Sequence, residues 1–302
     1  MSMKTPVLLL IWNRPQTTKK VFARLREIKP QILFIAADGP RKDVESDKKK
    51  CLETRKVVDK VDWKCKVKRL YRDTNLGLKK SVPESISWFF KNNIEGIILE
   101  DDCLPDLSFF KFCQLMLKRY KNNKRIMHIT GDNFQPQRTW NKNKYYFSKY
   151  PHIWGWATWR GAWEGYDVSM SGWTEFRKSK NLTKICVTFW EKMYWTAILD
   201  AVFRGKINTW DYQWMYAVWK SGGLSVNPGV NLVSNIGFGD GAVHTVSKNS
   251  KFNQLPTNGI SSRLDDQSIE VNKEFDNYTS KFVFGINPLN SLARYIYYHF
   301  SF

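Results

Sequence analysis

Apolar runs and polar breaks alternate along the first part of the chain. Residues 5–12 are a continuous apolar run ended by Asn13-Arg14-Pro15, the pattern of a strand buried on both faces. Pro15 then opens a helical spacing through Val21, Phe22, Leu25 and Ile28, and Pro30 ends it. A second buried strand over 32–37 stops at Asp38-Gly39-Pro40. Residues 43–60 are charged, with Val57, Val58 and Val61 in helical register, and 67–71 predict a short third strand. The turn Asn75-Leu76-Gly77 leads into a helix carrying Val82, Ile86, Trp88, Phe89 and Phe90. The run Ile97-Ile98-Leu99 predicts a fourth strand, followed by a helix over roughly 106–121 and a further strand over 126–130, ended by Gly131-Asp132-Asn133.

This alternation predicts an α/β fold with a doubly wound, mostly parallel sheet and right-handed crossovers. Ligands of such sheets sit beyond the carboxyl ends of the strands. Polar punctuation falls at those ends: Asn13-Arg14, Asp38-Gly39, Glu100-Asp101-Asp102 and Asp132-Asn133.

Beyond residue 133 the alternation stops. Residues 136–150 are polar and aromatic, and Trp154, Trp156 and Trp159 crowd the next stretch. Helical spacing returns over 182–204, and again from Asp211 through Trp214 and Trp219 to Gly222-Gly223. Short strands are expected within 224–232 and a glycine-rich loop over 235–244; residues 245–280 read as a polar tail or wrap. The aromatic stretch 292–302, with Arg294, leaves two readings open: a helix docked on the body, or one lying on a membrane surface.

The triplet Glu100-Asp101-Asp102 sharpens the picture. Three adjacent carboxylates repel one another, and burying one costs several kcal/mol, by order of magnitude, unless it is paired. A divalent cation with oxygen ligands is one compensation. A solvated turn, with Asp106 capping the next helix, is the other.

Composition narrows the function classes. The chain is 42% hydrophobic and 15% aromatic, with 14 Trp, which describes a folded protein. Its formal net charge of +20, from 48 Lys+Arg against 28 Asp+Glu, favours anionic partners: nucleotide phosphates, an anionic membrane surface or nucleic acid. No zinc-finger spacing or RNA-binding motif supports specific nucleic-acid recognition. Five scattered Cys with no Cys-x-x-Cys pair fit a reduced cytoplasmic setting. No apolar run approaches the about 20 residues that span a bilayer. Neither a Gly-x-Gly-x-x-Gly after the first strand nor a P-loop occurs, which disfavours dinucleotide dehydrogenases and P-loop NTPases.

An ordered series of residues also resembles a known group. Pro6-Val7-Leu8 followed by Asn13-Arg14, then Asp38, Glu100-Asp101-Asp102 with Pro105-Asp106 and Phe109-Phe110, Asp132-Asn133, Gly155-Trp156, Trp210-Asp211 with Trp214-Met215, and Phe238-Gly239 with His244 stand in one order. The chain is similar in these respects to GT-A (Rossmann-like) nucleotide-sugar glycosyltransferases of the inverting N-acetylglucosaminyltransferase I type and their bacterial relatives, over roughly 5–245. The resemblance implies a mixed, mostly parallel sheet flanked by helices, with a donor-binding half over 1–133, an acceptor-side, catalytic half over 134–245, and a tail over 246–302. It implies Mn²⁺ or Mg²⁺ on Asp102, with Glu100 and Asp101 near sugar, ribose or metal-bound water. Arg14 and Asp38 would hold the nucleotide of a UDP-sugar, Trp210 would lie against the donor sugar, and Asp211 would be the catalytic base. The loop 235–244, with His244, would close on the diphosphate. The acceptor would be a hydroxyl of a glycan or lipid-linked glycan. The chain departs from the pattern in two places: Pro83-Glu84-Ser85 stands where the family has a His, and one residue is inserted between Asp211 and Trp214.

Residue-level alternatives stay open at this stage. Asp211 could simply cap its helix, and His244 could be a solvated loop residue. Lys79 and Lys80 could face phosphate or water, and the Trp154–159 cluster could be acceptor wall or core. Two other functions compete with sugar transfer. A sugar-phosphate nucleotidyltransferase shares strand-end carboxylates but usually carries a glycine-rich loop after the first strand, where this chain has Asn13-Arg14-Pro15. A non-enzymatic basic protein binding polyanions or membrane needs only the charge. A cytoplasmic location, with peripheral contact at an anionic membrane, completes the expectations.

Overall fold

The structure, a computed structural model, describes residues 3–238 and 252–300, of which 299 and 300 are described as backbone only. The expected alternation is present. Strand β1 (Val7–Ile11), helix α1 (Pro15–Ile28), β2 (Ile32–Ala37), α2 (Glu45–Asp59), β3 (Lys66–Tyr71), α3 (Leu78–Asn92) and β4 (Glu95–Glu100) follow one another. Then come the short β5 (Cys103–Pro105), α4 (Leu107–Tyr120) and β6 (Ile126–Thr130).

The second part supplies β7 (Tyr145–Ser148), β8 (Trp156–Trp159), α5 (Arg160–Trp163), α6 (Trp173–Lys178), α7 (Lys180–Ile185), α8 (Phe189–Phe203) and α9 (Asp211–Lys220). Strands β9 (Leu224–Pro228) and β10 (Val233–Asn235) and helices α10 (Lys273–Tyr278) and α11 (Pro288–Phe300) complete the order.

One sheet runs β3-β2-β1-β4-β8-β6-β9-β7. Strands β1 to β4, β6 and β9 point the same way; β8 and β7 run against them. This is a mixed, mostly parallel Rossmann-like α/β sheet, as the alternation predicts. Strands from both sides of residue 133 share it, so the two halves expected from the sequence are joined by hydrogen bonds. Consecutive residues of β1 face opposite ways: Val7, Leu9 and Ile11 join the cluster under α1 and α4, whereas Leu8 and Leu10 join Phe89, Trp156 and Trp214. Burial on both faces is why β1 reads as an unbroken apolar run. A third cluster holds α8 and α9 together through Trp195, Met215, Tyr216 and Trp219.

The helix expected over 182–204 is instead two helices. Thr188 Oγ1 accepts from the Glu191 N–H at 3.1 Å, and Glu191 Oε2 accepts from the Val187 N–H at 2.8 Å. This reciprocal capping starts a new helix at Phe189. The wrap after residue 245 is fixed where it is described: Asp276 accepts from Ser148 Oγ at 2.5 Å and from the Lys149 N–H at 3.1 Å.

Strand order reverses beside β1, where the chain goes first to β2 and β3 and later returns to place β4 on the other side. Such a switch point opens a crevice at the carboxyl ends of the strands.

Candidate functional site

A cavity of about 700 Å³ occupies this crevice. Trp12 and Arg14 reach it from the end of β1, Asp38 and Arg41 from the end of β2, and Glu100, Asp101 and Asp102 from the end of β4. Thr209, Trp210, Asp211 and Tyr212 come from the start of α9, and Arg294 and Tyr298 from α11. Seven residues singled out by sequence therefore share one cavity: Arg14, Asp38, Glu100, Asp101, Asp102, Trp210 and Asp211. His244 lies outside the described residues.

The carboxylate triplet sits where β4 ends and the chain turns into β5. Asp101 Oδ2 accepts from the Trp12 N–H at 2.9 Å. Arg14 Nη1 donates to Asp102 Oδ2 and lies 3.9 Å from Asp101. Burial, followed by the charges of Asp102 and Asp101, pushes the Glu100 carboxyl well above its ordinary range; Asp211 adds to the push. Burial and Asp102 push Asp101 up as well, and Arg14 pulls the other way. Among the described residues, three carboxylates share one guanidinium in this corner. Its donors are all hard oxygens, the ligand type Mn²⁺ and Mg²⁺ take. The residues thus suit a divalent cation in chemistry and charge. Among the described residues no group of three or more His, Cys, Asp or Glu side chains surrounds a point as a ready-made cage.

Backbone closes over Asp102. The Ile236 N–H donates to the Asp102 carbonyl at 2.8 Å, and β10 pairs with β5 so that Asn235 stands opposite Cys103. A Cβ on Gly237 would lie 2.0 Å from Asp102 Oδ2, so only glycine permits this approach. The glycine-rich loop expected over the site does begin against the triplet.

Asp38 is already occupied. Its oxygens accept from the Gly39, Leu76 and Gly77 N–H groups at 2.9, 3.0 and 3.1 Å and from Asn75 Nδ2 at 3.2 Å. The carboxylate ties the end of β2 to the turn that opens α3. Gly77 has φ +77°, which admits glycine readily and few other residues. Beside it, Arg41 donates to Asp47 at 2.6 Å and stacks over the Trp12 ring at 5.0 Å. That hydrogen bond holds the Asp47 carboxyl below its ordinary range, with a further bond from Asn13.

Asp211 is the first residue of α9, with Trp210 in the N-cap position, so it does not cap the helix in the usual way. Its Oδ1 accepts from Thr209 Oγ1 and from the Tyr212 N–H. Its electrostatic reach to Glu100 puts it within the field of the triplet. Trp210 is only 2% exposed and stacks on Trp156 at 6.0 Å and 23°, so most of its ring belongs to the core.

The tryptophan cluster divides. Trp156 packs among His128, Trp163, Trp210 and Trp214, whereas Trp154 lines the cavity edge-on to Phe238 at 5.8 Å. Asp132 and Asn133 do not reach the cavity. Asp132 Oδ2 accepts from the Trp154 N–H, and Asn133 donates to the Pro228 carbonyl, so this pair shapes the loops beside the site. Lys79 and Lys80 stand outside the cavity wall, as does Pro83; Ser81 and Ser85 line it.

Several cavity residues escape the sequence reading: Arg41, Asn75, Arg294 and Tyr298; Asn235 stands at the start of the expected loop. Arg294 had one signal, a lone cation in an aromatic stretch. No pattern of residues near Asp101 indicates that the last helix returns to the site.

No protein-family model matches the chain, and no curated protein is similar to it. Among solved structures, the crystal structure of HddC from Yersinia pseudotuberculosis aligns over 52% of this chain and 77% of its own, with 9% sequence identity and a TM-score of 0.32. A likeness that slight bears on neither family nor function.

Proposed function

We propose that this protein is a GT-A-type, metal-dependent, inverting glycosyltransferase that moves a sugar from a UDP-sugar to an acceptor hydroxyl. One observation carries the reading: the triplet at the end of β4 and Asp211 at the start of α9, far apart in sequence, meet in one cavity at the switch point of the sheet.

Inverting transfer needs a base to take the acceptor proton and positive charge to meet the departing diphosphate. Asp211, held by Thr209 and its own helix start, is the base, and the proton of the acceptor hydroxyl goes to its carboxylate. Asp102, with Glu100 and Asp101 beside it, would hold Mn²⁺ or Mg²⁺, which when bound neutralises charge on the diphosphate. Arg14 shares Asp102 and stands ready to contact the same phosphates. Asp38 acts on the nucleotide through the turn it holds, with Arg41 and Asn75 completing that wall. Trp154 offers apolar surface to the sugars, with the buried Trp210 backing the wall behind Asp211. The acceptor is a glycan or lipid-linked glycan.

A panel of nucleotide-sugars with and without Mn²⁺, read first by thermal shift and then by turnover, tests the reading. Asp102→Ala abolishes metal-dependent turnover. Asp211→Asn lowers turnover by about 10²–10⁴-fold, the usual span for a lost general base, while UDP binding stays. Full activity in Asp102→Ala refutes the metal assignment. Release of pyrophosphate from a nucleoside triphosphate and a sugar phosphate, with no sugar transfer, replaces the reading with nucleotidyl transfer.

A further inference from the structure

Helix α11 carries apolar residues at Leu289, Leu292, Ala293, Ile296 and Tyr297. This is the i, i+3, i+4, i+7, i+8 spacing that normally faces a core. Here the stripe faces solvent: Leu289 is 80% exposed, Tyr297 62%, and the other three are exposed too. The opposite side, through Ser291, Tyr295 and Tyr298, rests on the body, where α11 packs against α8. Helix α8 adds exposed apolar groups of its own, Phe189 and Trp190 at its start and Phe203 at its end.

Past the exposed Glu175, the charge exposed along this part of the chain has one sign. Between residues 177 and 206 the cations are Arg177, Lys178, Lys180, Lys184, Lys192, Arg204 and Lys206. The only acids there, Glu191 and Asp200, are buried and ion-paired with Lys149 and Arg177. Helix α11 itself contains Arg294 and no acid. A protein partner of ordinary composition would present both signs; a second copy of this basic chain would repel this face.

We propose that the outward face of α11, with the exposed ends of α8, docks on an anionic lipid surface. The apolar side chains enter the headgroup boundary and the surrounding Lys and Arg meet lipid phosphates. Because Arg294 and Tyr298 line the cavity from this same helix, docking sets the cavity beside the bilayer. That last consequence bears on a membrane-held acceptor and rests on the transferase reading; the docking does not.

Vesicle co-sedimentation of the full chain tests it. The protein should sediment with vesicles containing phosphatidylglycerol, far less with pure phosphatidylcholine, and less as salt rises. Substituting Leu292→Glu together with Ile296→Glu should lower partitioning by about tenfold or more, because two apolar groups are replaced by charges of the wrong sign. Unchanged circular dichroism and an unchanged melting temperature show that the variant is folded. Lys192→Glu with Arg204→Glu should weaken binding to anionic vesicles alone. The proposal is overturned if the wild type stays in the supernatant with anionic vesicles, or if the Glu variant sediments equally. It is also overturned if light scattering shows a dimer that the same substitutions dissociate, with no lipid binding; that result assigns the face to a second copy. Lipid docking without turnover of any UDP-sugar leaves the docking standing and removes the transferase reading.

Discussion

Gly237 leaves no room for a side chain against Asp102, and this makes it a test of how tightly the loop must sit. Gly237→Ala should lower turnover and metal affinity at little cost to the melting temperature, since the substitution strains one contact at the cavity rather than the core; kinetics beside a thermal melt would show it. His128 offers a pH test. Its Nδ1 accepts from Trp214 Nε1–H at 3.1 Å, so Nε2 carries the proton and donates to the His152 carbonyl at 2.7 Å. Burial lowers the pKa of both His128 and His152 to about 3. Between the ordinary value of 6.5 and that lowered one, the unfolded chain takes up protons that the folded chain refuses, so stability falls with acid. Each imidazole contributes at most about 1.4 kcal/mol per pH unit. His128→Asn, whatever its cost at neutral pH, should therefore flatten the decline in unfolding free energy between pH 6.5 and 5, measured by denaturant titration. The sequence shows which acids end strands but not what they hold. Asp38 spends its oxygens on the Leu76 and Gly77 N–H groups, and Asp102 pairs with Arg14; neither partnership has a local sequence signature.

At the level of elements, legibility follows burial. Strands β1, β2, β4 and β6 are buried on both faces and announce themselves as apolar runs. Strands β7 and β8 are four residues long, rich in aromatics, and defined by partners far along the chain, so local periodicity cannot find them. The break before α8 was readable: Thr188 and Glu191 have the spacing of a capping pair. The turn that opens α3 hangs on Gly77 and the Asp38 carboxylate. Gly77→Ala forces a side chain into the left-handed region and loosens the Leu76 and Gly77 N–H contacts to Asp38; a loss of about 1–3 kcal/mol in chemical denaturation is expected, with weaker nucleotide binding.

For the whole molecule, the five cysteines are all free, and four of them are buried. Burial pushes the Cys51 thiol up to about 11 and those of Cys103 and Cys113 well above their ordinary value. Reductant should leave the melting temperature unchanged, and alkylation of the native protein should reach Cys65 first, as peptide mass mapping would show. A melting temperature that falls with dithiothreitol contradicts this assignment. Binding should also stabilise the molecule by mass action: UDP with Mn²⁺ at about a hundred times its Kd adds about 2.7 kcal/mol, readable in a thermal shift, and Asp102→Ala should lose the Mn²⁺-dependent part.

The β5–β10 ladder has a consequence for biosynthesis. The triplet is made before Asn235, Ile236 and Gly237, which fix Asp102 from the other side and emerge only after most of the sheet has been synthesised. On a ribosome stalled before residue 233, β1 to β4 can already pair while the acids remain open to solvent. Assembly of the carboxylate corner therefore waits on β10, and the nascent chain acquires it only once residues 233–237 have been made.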